Sequence, residues 1–188
     1  MAVQTAEQLF MHELGDIYSA EQMILQMLPK MAQESNNQQA TNAYNEHLRQ
    51  TQQQVQNLQQ CFQILGQQPP QVTCYAIAGI KQEHDTFLKD NPSQNILTLF
   101  DLGGADKVEH YEIVSYKSLI EQANLLGKSQ CVPLLQQNLQ QEEWMANTVE
   151  QIERQLAPQM ARQGQPGVQG QGVQGMQSQP GRQGSVIP

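Results

Sequence analysis

With 188 residues, a formal charge of −8 and a pI near 4.9, the chain lacks the basic surface that nucleic-acid binding requires. No apolar run approaches the ~18 residues of a membrane span, and no basic amphipathic stretch suits a membrane surface. What remains is an acidic domain of about 155 residues, enough for one sizeable core, and about thirty residues of different composition.

The first residues lack the order of a secretion signal, a basic region followed by an apolar one, so the cytoplasm is the expected location. Cys61, Cys74 and Cys131 are odd in number and far apart, which fits a reducing compartment and incidental, partly buried thiols. Aromatic residues make up 5% of the chain, glutamine is abundant and β-branched runs are short, all of which favours helices.

Thr5 is the expected N-cap of a first helix over residues 5–34, with Glu7 and Gln8 in its first turn. Leu9/Phe10, Leu14, Ile17/Tyr18, Ile24/Leu25, Leu28 and Met31 recur at helical spacing, and Pro29 is expected to bend the helix. Glu21 takes a place where that pattern calls for an apolar residue. After a Ser-Asn-Asn turn at 35–37, a second helix is predicted over 38–65 and is closed by Gly66. Its inner face carries Ala43/Tyr44, His47/Leu48, Thr51, Val55, Leu58 and Cys61/Phe62, with Gln50 and Gln54 one and two turns beyond His47.

The stretch from Gly66 to Asn95 is too long for a turn between neighbours and reads as a crossover with its own short helix over 73–89. A third long helix over 94–126 carries Ala105, Val108, Glu112, Tyr116, Leu119 and Ala123 on one stripe, with Glu109 on its shoulder. Gly103 and Gly104 are expected to weaken its start, and Gly127 to end it. The fourth long helix is predicted over 129–157, with Ser129 as N-cap and Pro133 in its first turn. Leu135, Leu139, Glu142, Ala146, Val149, Ile152 and Leu156 form its inner face, and Glu143 points aside. Residues 158–188, rich in Gly, Gln and Pro, have no hydrophobic period and read as a disordered tail open to a protein partner. The domain boundaries are thus 1–157 and 158–188.

Two antiparallel helix pairs joined by a long crossover have the layout of a ferritin-like four-helix bundle. Measured from the two turns, Glu112 and Glu142 lie at equal depth, and Glu21 lies level with a point near His47 and Gln50. Taken singly, a core-phase glutamate is most often a shoulder residue reaching water, and a lone inner histidine is most often hydrogen-bonded. Three in-phase carboxylates on three helices, with a histidine on the fourth, point instead to a shared centre. Carboxylates and imidazole suit iron or manganese. The candidate ligands are Glu21, His47, Glu109, Glu112 and Glu142, holding one or two such ions. The alternative is a metal-free helical interaction or stress-protection module, its acids held by Tyr18, Tyr116 and glutamines. His12, His84 and His110 lie off the stripes and read as surface residues, and Trp144 as a packing residue. No recognisable nucleophile motif or phosphate-cradling loop is present.

The chain resembles the YciF-like (YciE/YciF) stress proteins of the ferritin-like, rubrerythrin-related superfamily over about residues 5–157. Residues 9–22 (LFMHELGDIYSAEQ), Leu28-Pro29-Lys30, the second-helix stretch 46–54 and Cys74–Gly79 carry the likeness. So do residues 109–116 (EHYEIVSY) and 134–143 (LLQQNLQQEE). The resemblance implies a stress-linked bundle, often a homodimer, in which Glu21, Glu112 and Glu142 match the helix carboxylates and His47 a second-helix histidine. If the centre is redox-active, it implies handling of O2 or peroxide, with Glu112 or Glu109 bridging. The superfamily's Glu-x-x-His repeat is absent, since Tyr44 precedes His47 by three and Met145 follows Glu142 by three. Gln50 stands where the family often has Glu, and Glu83 in the crossover is a spare ligand candidate.

Overall fold

A computed structural model describes residues 3–163, which form five α-helices and one 3-10 turn. Helix α1 spans Ala6–Glu34, α2 Gln38–Ile64, α3 Tyr75–Phe87, α4 Gln94–Leu125 and α5 Val132–Gln163, with the 3-10 turn at Leu88–Asp90. α1 packs on α2, α2 on α5, α5 on α4 and α4 on α1, so the four long helices close into a ring around one core. α3 lies outside that ring, against α1 and α4. The all-α bundle with a helical crossover is the architecture that the periodicity predicts. The disordered tail is expected from 158, but residues 158–163 continue α5, and 164–188 lie outside the described residues.

Local chemistry sets the helix ends. Thr5 and Gln8 form a reciprocal capping box, each side chain meeting the other's backbone N–H. Gly66 (φ 66°) and Gly127 (φ 69°) take the left-handed conformation that closes α2 and α4. α1 continues through Pro29, and α4 runs unbroken through Gly103 and Gly104. Two ends differ from expectation. α5 begins at Val132 rather than 129, because residues 128–131 form a tight turn in which Cys131 N–H donates to the Lys128 carbonyl at 3.0 Å. The Cys131 carbonyl, not the Ser129 side chain, then receives the first amides of the helix, those of Leu134 and Leu135. At the other end α5 passes Pro158 and reaches Gln163. Pro158 is exposed, so water can satisfy the carbonyl that the missing N–H leaves free.

The crossover is pinned to α1. Ser19 Oγ donates to the Val72 carbonyl at 2.9 Å and accepts the Cys74 N–H at 3.0 Å. Gly15 lets the chain approach: a Cβ there would sit 2.5 Å from Pro70 Cγ. Tyr111 on α4 donates to Asp16 on α1 and lies 3.3 Å from Cys74 Sγ, and Phe87 stacks on Phe100 with ring centroids 3.9 Å apart. α3 is thereby fixed over the groove between α1 and α4. All three cysteines are buried and unbridged, and Cys61 and Cys131 each point a thiol at the other's carbonyl at 3.9 Å.

Candidate metal centre

α1 presents Glu21, α2 His47, α4 Glu109 and Glu112, and α5 Glu142, all at most 1% exposed. His47, Glu109, Glu112 and Glu142 each offer a ligand atom, all within 4.8 Å of one another. His47 Nε2 lies 3.2 Å from Glu109 Oε1 and 3.8 Å from Glu142 Oε2. Glu21 lies beside this group, beside Glu112, and its carboxylate accepts a hydrogen bond from Tyr116. The five candidate residues therefore converge on one interior level.

The cluster has little internal compensation. Gln54 Nε2 donates to Glu142 Oε1. Both oxygens of Glu112, one each of Glu21, Glu109 and Glu142, and both ring nitrogens of His47 have no hydrogen-bond partner. No lysine or arginine is buried among the described residues. A group of buried anions without a protein cation must take up protons or bind a cation.

Electrostatics follow from that. Burial pushes the Glu21, Glu109 and Glu112 carboxyls well above their ordinary range, and repulsion from Glu142 pushes them further. Burial raises Glu142 to about 7, while interactions with Glu109 and Gln54 hold it down. Burial lowers His47 to about 4, with nearby Gln50 opposing the shift only in part, so the imidazole is neutral, the form that ligates metal. Without a cation, the site is a set of acids sharing protons around one carboxylate.

A polar shell supports the cluster, and much of it escapes the sequence pattern. Asn138 Nδ2 donates to Tyr116 Oη at 3.0 Å and to the Gln54 carbonyl at 3.3 Å, and Asn57 donates to Asn138 at 2.7 Å. Asn138 thus orients both the tyrosine that holds Glu21 and the segment that carries Gln54. The periodic reading placed Leu139 in the core, but α5 turns Asn138 and Met145 inward and leaves Leu139 partly buried. Tyr18 bonds Gln22 and Gln59 rather than a carboxylate.

Other expectations need correction. Glu83 is 61% exposed and paired with Lys107 at 3.1 Å, away from the cluster. Trp144 is 45% exposed, because α5 faces inward through Met145 and Ala146 instead. His12 and His110 are exposed, as expected, and Glu143 points outward to Lys117 at 2.8 Å. His84 is not a surface residue: docking of α3 brings it between Glu34 and Asp101. The length of the crossover gave no signal of that contact.

Comparison with known proteins follows the same outline. A family described as a domain of unknown function (DUF892) matches residues 5–162. Protein YciF of Escherichia coli (strain K12) is 30% identical over 143 residues, 76% of this chain and 86% of that protein. The crystal structure of the E. coli stress protein YciF matches with a TM-score of 0.78 at 27% identity, covering 82% of this chain and 98% of that one. YcfI from Rhodopseudomonas palustris matches with a TM-score of 0.76 at 38% identity, covering 79% and 94%.

Proposed function

The chain belongs to the DUF892 family, whose members include YciF-like proteins, and from that premise we propose that it is a ferritin-like protein with an internal iron or manganese centre. The observation that carries this reading is the interior set of four carboxylates and one neutral imidazole, most of whose polar atoms are orphaned. Four carboxylates balance the charge of two divalent ions, which favours a dinuclear centre over a mononuclear one. His47, Glu109, Glu112 and Glu142 are the ligands, and Glu21 joins through Glu112. Iron or manganese bound there would supply one-electron chemistry toward O2 or peroxide. The stress context of E. coli YciF fits that use.

The protein's own residues have definable tasks. Asn138 and Tyr116 hold Glu21 in place, and Gln54 holds Glu142, so that the carboxylates need little rearrangement to ligate. Buried Ile24 and Met145, which line the same cavity as His47 and Glu109, lower the local dielectric and limit water. Tyr116, buried and bonded to Glu21, is a hydrogen-bond donor to the cluster.

A second reading has its own support. The Tyr116–Glu21 and Gln54–Glu142 bonds would also serve a metal-free stress-protection module with protonated acids. Anaerobic Mn(II) titration followed by electron paramagnetic resonance separates the two. The metal reading requires about two tightly bound ions in the cluster, lost in Glu112→Ala while helicity is unchanged. Equal binding by Glu112→Ala and the parent protein would refute the ligand assignment, and no internal binding in the parent would favour the metal-free module.

A further inference from the structure

A second group of metal-type side chains lies outside the bundle core, where α3 crosses the ends of α1 and α4. Glu34 is the last residue of α1, His84 lies on α3 and Asp101 on α4. His84 Nε2 is 3.2 Å from Glu34 Oε2 and 3.3 Å from Asp101 Oδ1, and all three offer an atom within 4.8 Å of one another. Two ligands bound about 2.1 Å from one ion at tetrahedral or octahedral angles stand about 3.0–3.4 Å apart. The observed separations are therefore edges of a coordination polyhedron.

Asp101 is the decisive residue. It is 2% exposed, and neither carboxylate oxygen has a hydrogen-bond partner. Glu34 Oε2 and His84 Nε2 are likewise buried without one. A single proton on Nε2 cannot donate well to two carboxylates in different directions, whereas a cation accepts all three groups at once. On its other side, His84 Nδ1 lies 3.7 Å from Asp85 Oδ1. Nε2, which faces both Glu34 and Asp101, is the nitrogen placed to ligate.

The place of the cluster gives it a use. A cavity of about 110 Å³ runs from Lys30 and Lys107 past His84 and Asp101 to His47 and Glu109. Gly104 lines it, and a Cβ built there meets nothing within 4 Å, so the wall is open at that point. We propose that Glu34, His84 and Asp101 form a second divalent-cation site, at the mouth of the route to the internal cluster, where an ion is held before it moves inward. The ion class is a borderline or hard divalent metal, such as Fe(II), Mn(II) or Co(II), bound by three protein ligands with further positions left to water. The entry role rests on the internal cluster binding metal, but the outer site does not.

Co(II) is the probe, with the full chain, in two measurements. Crystals soaked in Co(II) and measured at the cobalt edge should show anomalous density between Glu34, His84 and Asp101. Asp101→Asn should lose that density, and one Co(II) per chain in solution, while keeping density at His47. It should also slow filling of the internal cluster about tenfold or more, the lower end of what charge focusing in a cleft contributes. Gly104→Leu should slow filling without losing the outer ion, and Glu34→Gln provides a second ligand variant should Asp101→Asn fold poorly. No density at the outer site in the parent crystal, or unchanged Co(II) stoichiometry in both ligand variants, overturns the site. Outer density with none at His47 upholds the site and refutes the internal centre together with the entry role. Unchanged filling rates in Asp101→Asn and Gly104→Leu overturn the entry role.

Discussion

Replacing Glu142 by Gln should stabilise the metal-free protein at alkaline pH, although it alters a fully buried side chain. The isosteric amide keeps an oxygen for Gln54 Nε2 to donate to, so the packing and that bond survive. What disappears is a charge. Burial raises Glu142 from 4.5 to about 7, so the folded protein holds a proton that the unfolded chain has released between those two values. Stability from this residue therefore falls as pH rises from about 4.5 to about 7, and the whole cost is present above that. At about 1.4 kcal/mol per tenfold change in acidity, the cost is about 3 kcal/mol. Urea denaturation of chelator-treated protein should show Glu142→Gln gaining that amount at pH 8.5 and almost nothing at pH 4.5. With urea slopes of about 1–3 kcal/mol/M, the midpoint should move by about 1–3 M. In the presence of Mn(II) the order should invert, because the parent gains binding energy that the amide cannot supply. A gain of equal size at both pH values, or a loss at pH 8.5 without metal, would show that Glu142 is not held ionised at a cost.

Other perturbations test the parts around it. Asn138→Ala leaves the Asn57 amide, the Gln54 carbonyl and the Tyr116 hydroxyl short of partners, and should cost about 2–4 kcal/mol by urea denaturation; a loss below about 0.5 kcal/mol would remove it from the supporting shell. Gly15→Ala gains about 1 kcal/mol of helix propensity but drives a Cβ to 2.5 Å from Pro70 Cγ, so a net loss of about 1–2 kcal/mol is expected. The same variant should speed proteolysis in the segment before α3. Metal uptake at pH 7 should release about three protons, from Glu21, Glu109 and Glu112, which burial keeps protonated in the metal-free protein. A pH-stat trace without acid release would contradict that protonation state.

The bundle was legible in the sequence because its signals are local. A capping box at Thr5, turns at 35–37 and left-handed glycines at 66 and 127 mark helix ends without knowledge of the fold. The internal cluster was legible because glutamates in core phase conflict with the stripe around them. What escaped depends on contacts between distant segments. Asp101 lies one turn before Ala105 on the same stripe, but its meaning emerges only when α3 brings His84 to it. Asn138 hid behind Leu139, which satisfies a 3.6-residue period almost as well. α5 in fact buries 135, 138, 142, 145, 146, 149, 152 and 156, mostly in steps of three and four that put polar Asn138 and Glu142 in line. Ser129 and Pro158 misled for a shared reason: each is a strong statistical signal for a helix end, overridden by a turn in one case and by exposure to water in the other.

The most direct test is to locate metal inside the bundle. Crystals of tag-free protein, purified without chelator and loaded anaerobically with Fe(II) or Mn(II), should be measured on both sides of the corresponding absorption edge. Anomalous peaks among His47, Glu109, Glu112 and Glu142, absent in Glu112→Ala, are the expected result. A fully loaded crystal with no anomalous density at that level of the bundle would contradict the internal metal centre and leave a proton-sharing acid cluster in its place.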